Sequence, residues 1–180
     1  RSDEGYLVDG EKCVVLNADS ADKIVVSART SGGVSDPEGI SLFMIDKAVP
    51  GLTLRSYRTI DNLRAADIAF DGTPIPATAL LGTEGRALPL IEEVVDYATA
   101  LLCAEAIGAI KYANDSTLEY LKTRKQFGVP IGSFQALQHR MVDMTIAYEQ
   151  ARSMACLACV KAESGDANER RRTVSAAKIH

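Results

Sequence analysis

The residues best suited to chemistry lie together in one stretch, Thr123-Arg124-Lys125-Gln126-Phe127-Gly128-Val129-Pro130-Ile131-Gly132-Ser133-Phe134-Gln135-Ala136-Leu137-Gln138. Arg124 carries a planar guanidinium that can donate paired hydrogen bonds to phosphate oxygens. Gly128, Pro130 and Gly132 break a helical pattern, and a new helix is expected to start at Ser133 as its N-cap. A fresh helix start presents unpaired N–H groups and a partial positive charge, which suits an anion. Phe127 and Phe134 add flat apolar faces, and Gln135 both donates and accepts. Two readings fit these residues: a seat for a nucleotide diphosphate, and an ordinary turn with an exposed Arg-Lys pair.

Other reactive side chains are more scattered. Glu92, Glu93 and Glu105 sit on a helical pattern and read as helix surface or interhelical partners. Asn168-Glu169-Arg170-Arg171-Arg172 resembles a phosphate patch, but three arginines in a row at a helix start face unlike directions. A solvated face or subunit contact is the reading adopted. Cys156 and Cys159 have the spacing of a redox or metal pair. Their apolar helical neighbours, with no second pair and only His139 and His180 as histidines, predict buried, reduced cysteines instead. Reduced thiols point to the cytoplasm.

Composition narrows the classes. The 180 residues are 47% hydrophobic and 24% charged with a formal charge of -4, the profile of a soluble globular protein rather than a nucleic-acid binder with a basic face. No apolar run approaches the ~18 residues of a membrane span. The chain opens on Arg1-Ser2-Asp3-Glu4 without a methionine, so no signal sequence is read from its start.

The elements that must position these residues change character near Leu80. Before it, short β-rich runs alternate with turn residues. Tyr6-Leu7-Val8 and Cys13-Val14-Val15-Leu16 around Asp9-Gly10 predict a hairpin. Lys23 to Arg29, Ile40 to Ile45, Leu52 to Tyr57 and Ala66 to Phe70 predict further strands, with Pro74 and Pro76 ending the β region. Strands at this spacing suggest a small barrel or sandwich. From Gly85 on, apolar residues recur at steps of three and four. Leu90 to Lys125 predicts one long helix of ~50 Å at about 1.5 Å per residue. Its middle, Ala98 to Ile110, is apolar nearly all round and should be sandwiched between other helices. A second helix runs from Ser133 to about Glu163. A third, capped by Asn168, is still helical at His180, the pattern of a truncated chain.

The stretch at 123–138 strongly resembles the RKQFGxPI…FQ…Q signature of the acyl-CoA dehydrogenase family. The likeness extends on both sides in order: Gly5-Tyr6-Leu7-Val8-Asp9-Gly10-Glu11-Lys12, then Gly39-Ile40-Ser41-Leu42-Phe43 with Pro50-Gly51-Leu52. It continues through Ala69-Phe70-Asp71 and Ile75-Pro76 to Leu80-Leu81-Gly82-Thr83-Glu84-Gly85. Within the family the chain looks most like a heteromeric branch acting on dicarboxylic or otherwise unusual acyl-CoAs, of the pimeloyl-CoA type. The resemblance implies an α+β chain. An antiparallel β-barrel, the latter part of the family's middle domain, would occupy 1–80, and the first part of a helical bundle, the C-terminal domain, 81–180. The N-terminal helical domain would be absent and the bundle cut short. It further implies bound FAD, an acyl-CoA substrate, an electron-transfer flavoprotein as acceptor, and a homo- or hetero-oligomer, dimer or tetramer. Arg124 would meet the FAD diphosphate of a neighbouring subunit, with Gln126 and Phe127 beside it and Phe134 and Gln135 near the adenosine half. The implied reaction is α,β-dehydrogenation: a glutamate takes the Cα proton and hydride leaves Cβ for flavin N5.

Three departures from the family pattern matter. The strand facing the flavin usually reads Trp-Ile-Thr-Asn, but here it is Val14-Val15-Leu16-Asn17, so contact there must come through backbone or packing. A Gly-Ile-Arg-Gly-Ser-like turn is replaced by Asp61-Asn62-Leu63-Arg64-Ala65-Ala66-Asp67. Of a substrate-side Asp-x-x-Arg pair, Asp96 is kept but Thr99 stands at the arginine position. The catalytic glutamate is expected beyond His180, and no base is named. Two alternatives share the fold: a non-catalytic FAD-holding subunit of a heteromeric dehydrogenase, and an acyl-CoA oxidase or flavin monooxygenase.

Overall fold

The computed structural model describes residues 5–180 and divides at Leu90/Ile91 into two compact units. In the first, β1 (Gly5–Leu16) and β4 (Leu52–Arg58) flank β5 (Arg64–Pro76) in one antiparallel sheet. A second sheet has the order β2 (Lys23–Arg29), β3 (Ile40–Asp46) and β6 (Leu80–Leu81), also antiparallel. Alternation sets which face is inward. Ile24 and Val26 of β2, Ser41, Phe43 and Ile45 of β3, and Ala66, Ile68 and Phe70 of β5 are all buried. Their apolar members form one core with Tyr6, Val8 and Ile75, and Tyr6 meets Phe43 edge-on with centroids 4.8 Å apart.

This is a pair of open sheets, not the expected closed barrel. Closure needs each edge strand to find another edge, but β1 and β4 both end on β5, and β2 and β6 both end on β3. The expected Asp9-Gly10 hairpin is also absent. β1 runs straight through these residues and pairs with β5 along its length, with a register irregularity between Val8 and Gly10. Long-range pairing overrides the local turn signal, and Gly10, at φ 131°, absorbs the distortion. Pro74 and Pro76 lie inside β5 rather than after it. They pair with Leu7 and Gly5, beyond the point where β4 still accompanies β5, so the strand has a free side there.

The second unit contains α1 (Leu88–Thr123) from Ile91 on, a two-residue hairpin of β7 (Lys125–Gln126) and β8 (Val129–Pro130), α2 (Gln135–Lys161) and α3 (Ala167–Ile179). Small residues form its core: Ala100 and Cys103 of α1, Ala155 and Ala158 of α2, Ala162, and Val174 and Ala177 of α3. Such side chains let helix axes approach closely. The expected sandwich around α1 is not found. Leu101 and Leu102 are exposed, because α2 and α3 cover one face only. Asp166, not Asn168, caps α3, its carboxylate accepting the N–H groups of Asn168 and Glu169. Of the cysteines only Cys103 is buried. Cys13, Cys156 and Cys159 are exposed and none is paired, since the apolar neighbours of Cys156 and Cys159 take the inward positions. Among the described residues no helix is long and apolar enough to cross a membrane.

Candidate cofactor site

Two regions carry the candidate residues, one in each unit. In the helical unit, α1 ends as the Arg124 N–H donates to the Tyr120 carbonyl, and the Arg124 carbonyl accepts from Ile131 N–H at 2.8 Å. Between them the chain makes a tight hairpin with Phe127 and Gly128 both at positive φ, 52° and 82°. Two positive φ values in a two-residue loop match the twist of paired strands. Glycine is at ease there, whereas phenylalanine stores strain of order 1–3 kcal/mol, a cost often found at functional sites. The Phe127 ring is almost wholly exposed, 6.2 Å from Phe134 in an edge-on pair.

After β8, a 3₁₀ turn at Ile131–Ser133 leads into α2. Ser133 does not cap that helix. Its hydroxyl donates to the Pro130 carbonyl, and Phe134 occupies the cap position with no side-chain acceptor for the first amides. The α2 start is therefore left uncapped, with Arg124, Lys125, Gln126, Phe134 and Gln135 all exposed around the same corner. Arg124 makes no side-chain hydrogen bond or ion pair among the described residues. A free guanidinium beside an uncapped helix start fits a diphosphate. Gly132 lets the corner close on α1, because a Cβ there would lie 2.9 Å from the Leu121 carbonyl oxygen. Gly132→Ala should cost about 1–3 kcal/mol in thermal unfolding, and an unchanged melting temperature would contradict this packing.

In the β unit, the expected flavin strand is a bulge. Register passes from Lys12–Ile68 to Val15–Ala66, so Cys13 and Val14 together oppose Asp67. Val14 has φ 54°, a strained value for a β-branched residue. The side chains of Val14 and Leu16 are exposed and that of Val15 is half-buried. Asp67, together with Arg55 and Tyr57, is the group that sequence reading missed; its signal was one acid within an otherwise apolar stretch of β5. Its carboxylate accepts Val14 N–H at 3.1 Å, the Tyr57 hydroxyl at 2.9 Å and Arg55 Nη2 at 2.8 Å. Arg55, then Val14 N–H and Tyr57, hold the Asp67 carboxyl below its ordinary 3.8, and Asp67 in turn raises the Tyr57 phenol. A depressed carboxyl stabilises the fold fully above its unfolded value and ceases to as pH falls through the folded one. Val14 amide protection, followed by NMR against pH, should therefore persist at pH 3.8 and fail only below it. Loss at a higher pH would contradict the contact.

Asp96 and Arg170, the first arginine of the run, meet in the helical unit. Asp96 is buried and its Oδ2 accepts Arg170 Nε at 3.1 Å, while Arg170 Nη1 donates to the Ser164 carbonyl at 3.0 Å. Asp96 thus ties α1 to α3, and Arg170 is no solvated residue. Arg171 pairs with Glu92, which makes that glutamate an interhelical partner, while Glu93 and Glu105 are exposed. The structure brings none of these carboxylates to the Arg124 corner.

A pair of open antiparallel sheets followed by three helices, with an exposed cationic corner between the first two of them, defines a class of two-unit α+β chains. The comparisons narrow the class to one family. Residues 1–73 match the acyl-CoA dehydrogenase middle domain and residues 86–180 the acyl-CoA dehydrogenase C-terminal domain. The chain belongs to the acyl-CoA dehydrogenase family. It is 33% identical over 168 residues to an L-prolyl-[peptidyl-carrier protein] dehydrogenase of Serratia, covering 89% of this chain and 42% of that protein. Its fold matches butyryl-CoA dehydrogenase from Megasphaera elsdenii with a TM-score of 0.84 at 28% identity, covering 98% of this chain and 48% of the other. A structure described as PigA with FAD and proline matches with a TM-score of 0.88 at 31% identity, covering 99% and 49%. The chain thus spans less than half the length of these relatives.

Proposed function

We propose that the protein containing this chain is an FAD-dependent dehydrogenase of acyl thioesters. The observation that carries the reading is the exposed Arg124, which has no side-chain partner among the described residues, beside the uncapped start of α2. In this reading Arg124 holds the FAD diphosphate from a neighbouring subunit. Gln126 and Phe127 flank it, Phe134 and Gln135 meet the adenosine half, and the Val14-Val15-Leu16 backbone meets the flavin ring. When bound, FAD supplies the acceptor for the hydride that leaves Cβ as the Cα proton is removed. This chain's part is to bind, orient and shield. Asp96, engaged by Arg170, is assigned to holding the bundle together rather than to substrate. The base is assigned outside this chain. Electrons then pass to an electron-transfer flavoprotein, and the unpaired cysteines suit the cytoplasm.

The thioester carrier has two candidates. Coenzyme A follows from the family, and the likeness to the Serratia enzyme and to the proline-bound structure favours a carrier-protein thioester as the second reading. The test is to supply the full-length protein with acyl-CoAs and with prolyl carrier protein under an artificial electron acceptor, and to identify the product by mass. Loss of two hydrogens from one thioester class supports the reading and selects the carrier. A protein that uses neither is instead the FAD-holding partner of a second chain, and rapid reoxidation of its reduced flavin by oxygen would mark an oxidase.

A further inference from the structure

We propose that Asp67 is a positioning residue for the cofactor: by clamping the β1 bulge at Val14 it sets the backbone that meets the flavin ring. The inference rests on the FAD reading above. Val14 and Leu16 carry no side-chain donors or acceptors, so any polar contact from these positions must come from their N–H and C=O groups. Where those groups point depends on the bulge. The bulge is strained, because a β-branched residue holds φ 54°, and such strain persists only where the surroundings impose it.

Asp67 is what imposes it. It stands opposite the two bulged residues and replaces the lost ladder bond by accepting the Val14 N–H on its side chain. Its own carboxylate is fixed from the third strand, by Arg55, its register partner on β4, and by Tyr57 two residues on. The clamp therefore crosses all three strands of the sheet. It adds nothing to the core: Arg55 is 81% exposed, Asp67 27% exposed, and neither belongs to the buried cluster beneath. A carboxylate fixed by two groups and holding one strained peptide is more than an ordinary cross-strand ion pair requires.

The test uses the full-length protein with Asp67→Ala, Asp67→Leu, and Asp67→Ala combined with Val14→Gly. Glycine adopts positive φ without strain, so it should free the bulge from its need for the clamp. Two readouts are followed: amide exchange over residues 13–16 in the flavin-free protein, and the visible absorption band of bound FAD. Both Asp67 variants should keep stoichiometric FAD, exchange at least tenfold faster at the bulge, and show a shifted, less structured flavin band. The double variant should recover the wild-type band. Wild-type exchange or a wild-type flavin band in both Asp67 variants overturns the proposal, as does failure of Val14→Gly to rescue. Should Asp67→Ala not fold, Asp67→Leu, which approximates the shape of the side chain but carries no acceptor, decides the matter alone. A wild-type protein that takes up no flavin overturns the FAD reading and this one with it, and faster exchange in its Asp67 variants then leaves the clamp a purely structural device.

Discussion

Arg124→Ala should weaken FAD binding to the full-length protein by about 2 kcal/mol, roughly thirtyfold in Kd. The size follows from the setting. The guanidinium has no protein partner among the described residues, so its removal leaves no buried charge behind and the loss is that of the cofactor contact. Arg124→Lys should fall between the two, because a lysine keeps the charge but not the planar fork. Fluorescence titration of apoprotein with FAD measures both. Equal affinity in wild type and Arg124→Ala would remove the diphosphate from this corner and return it to an ordinary turn.

A larger effect is expected at the buried pair of the helical unit. Arg170→Met should destabilise that unit by about 3–5 kcal/mol, since it strands the Asp96 carboxylate inside the fold. Both side chains are largely withdrawn from water, which sets this pair apart from exposed ion pairs such as Lys111–Asp115 and Arg152–Glu149. Replacing both partners, Asp96→Leu with Arg170→Met, should recover most of the loss, because no charge is then left alone. Urea unfolding of the three proteins gives the comparison. A loss under ~1 kcal/mol in Arg170→Met, the range of a surface ion pair, would show that the pair is solvated in solution.

That pair also shows what could be read from the sequence and what could not. The helical half was legible because its signals are local. The run without proline between Leu90 and Lys125 became a helix at Leu88–Thr123, and the glycines and proline at 128, 130 and 132 marked the corner. The helix starts were placed less well. Ser133 and Asn168 looked like caps, but the chain turned so that Ser133 bonds back to Pro130 and Asp166 reaches the first amides of α3. Asp96 and Arg170 lie 74 residues apart, and no spacing rule links them. In the β half, strands were found as β-rich runs between turn residues, but pairing was not. Asp9-Gly10 had the composition of a hairpin turn, yet the pairing of β1 with β5 carried the strand through it. The Asp67 clamp escaped notice for the same reason, since its three contacts come from β1 and β4 and exist only once the sheet is assembled. The corner at Arg124 was visible as residues suited to phosphate, while its assignment to FAD drew on likeness to a family rather than on spacing.

The most direct measurement of the account is anaerobic titration of the purified full-length protein with acyl thioesters while the flavin absorption is followed. The protein should purify with FAD, and one thioester class should bleach the flavin band as an enoyl thioester forms. A protein that binds no flavin, or a bound flavin that no acyl thioester bleaches either alone or with a second subunit added, would contradict it.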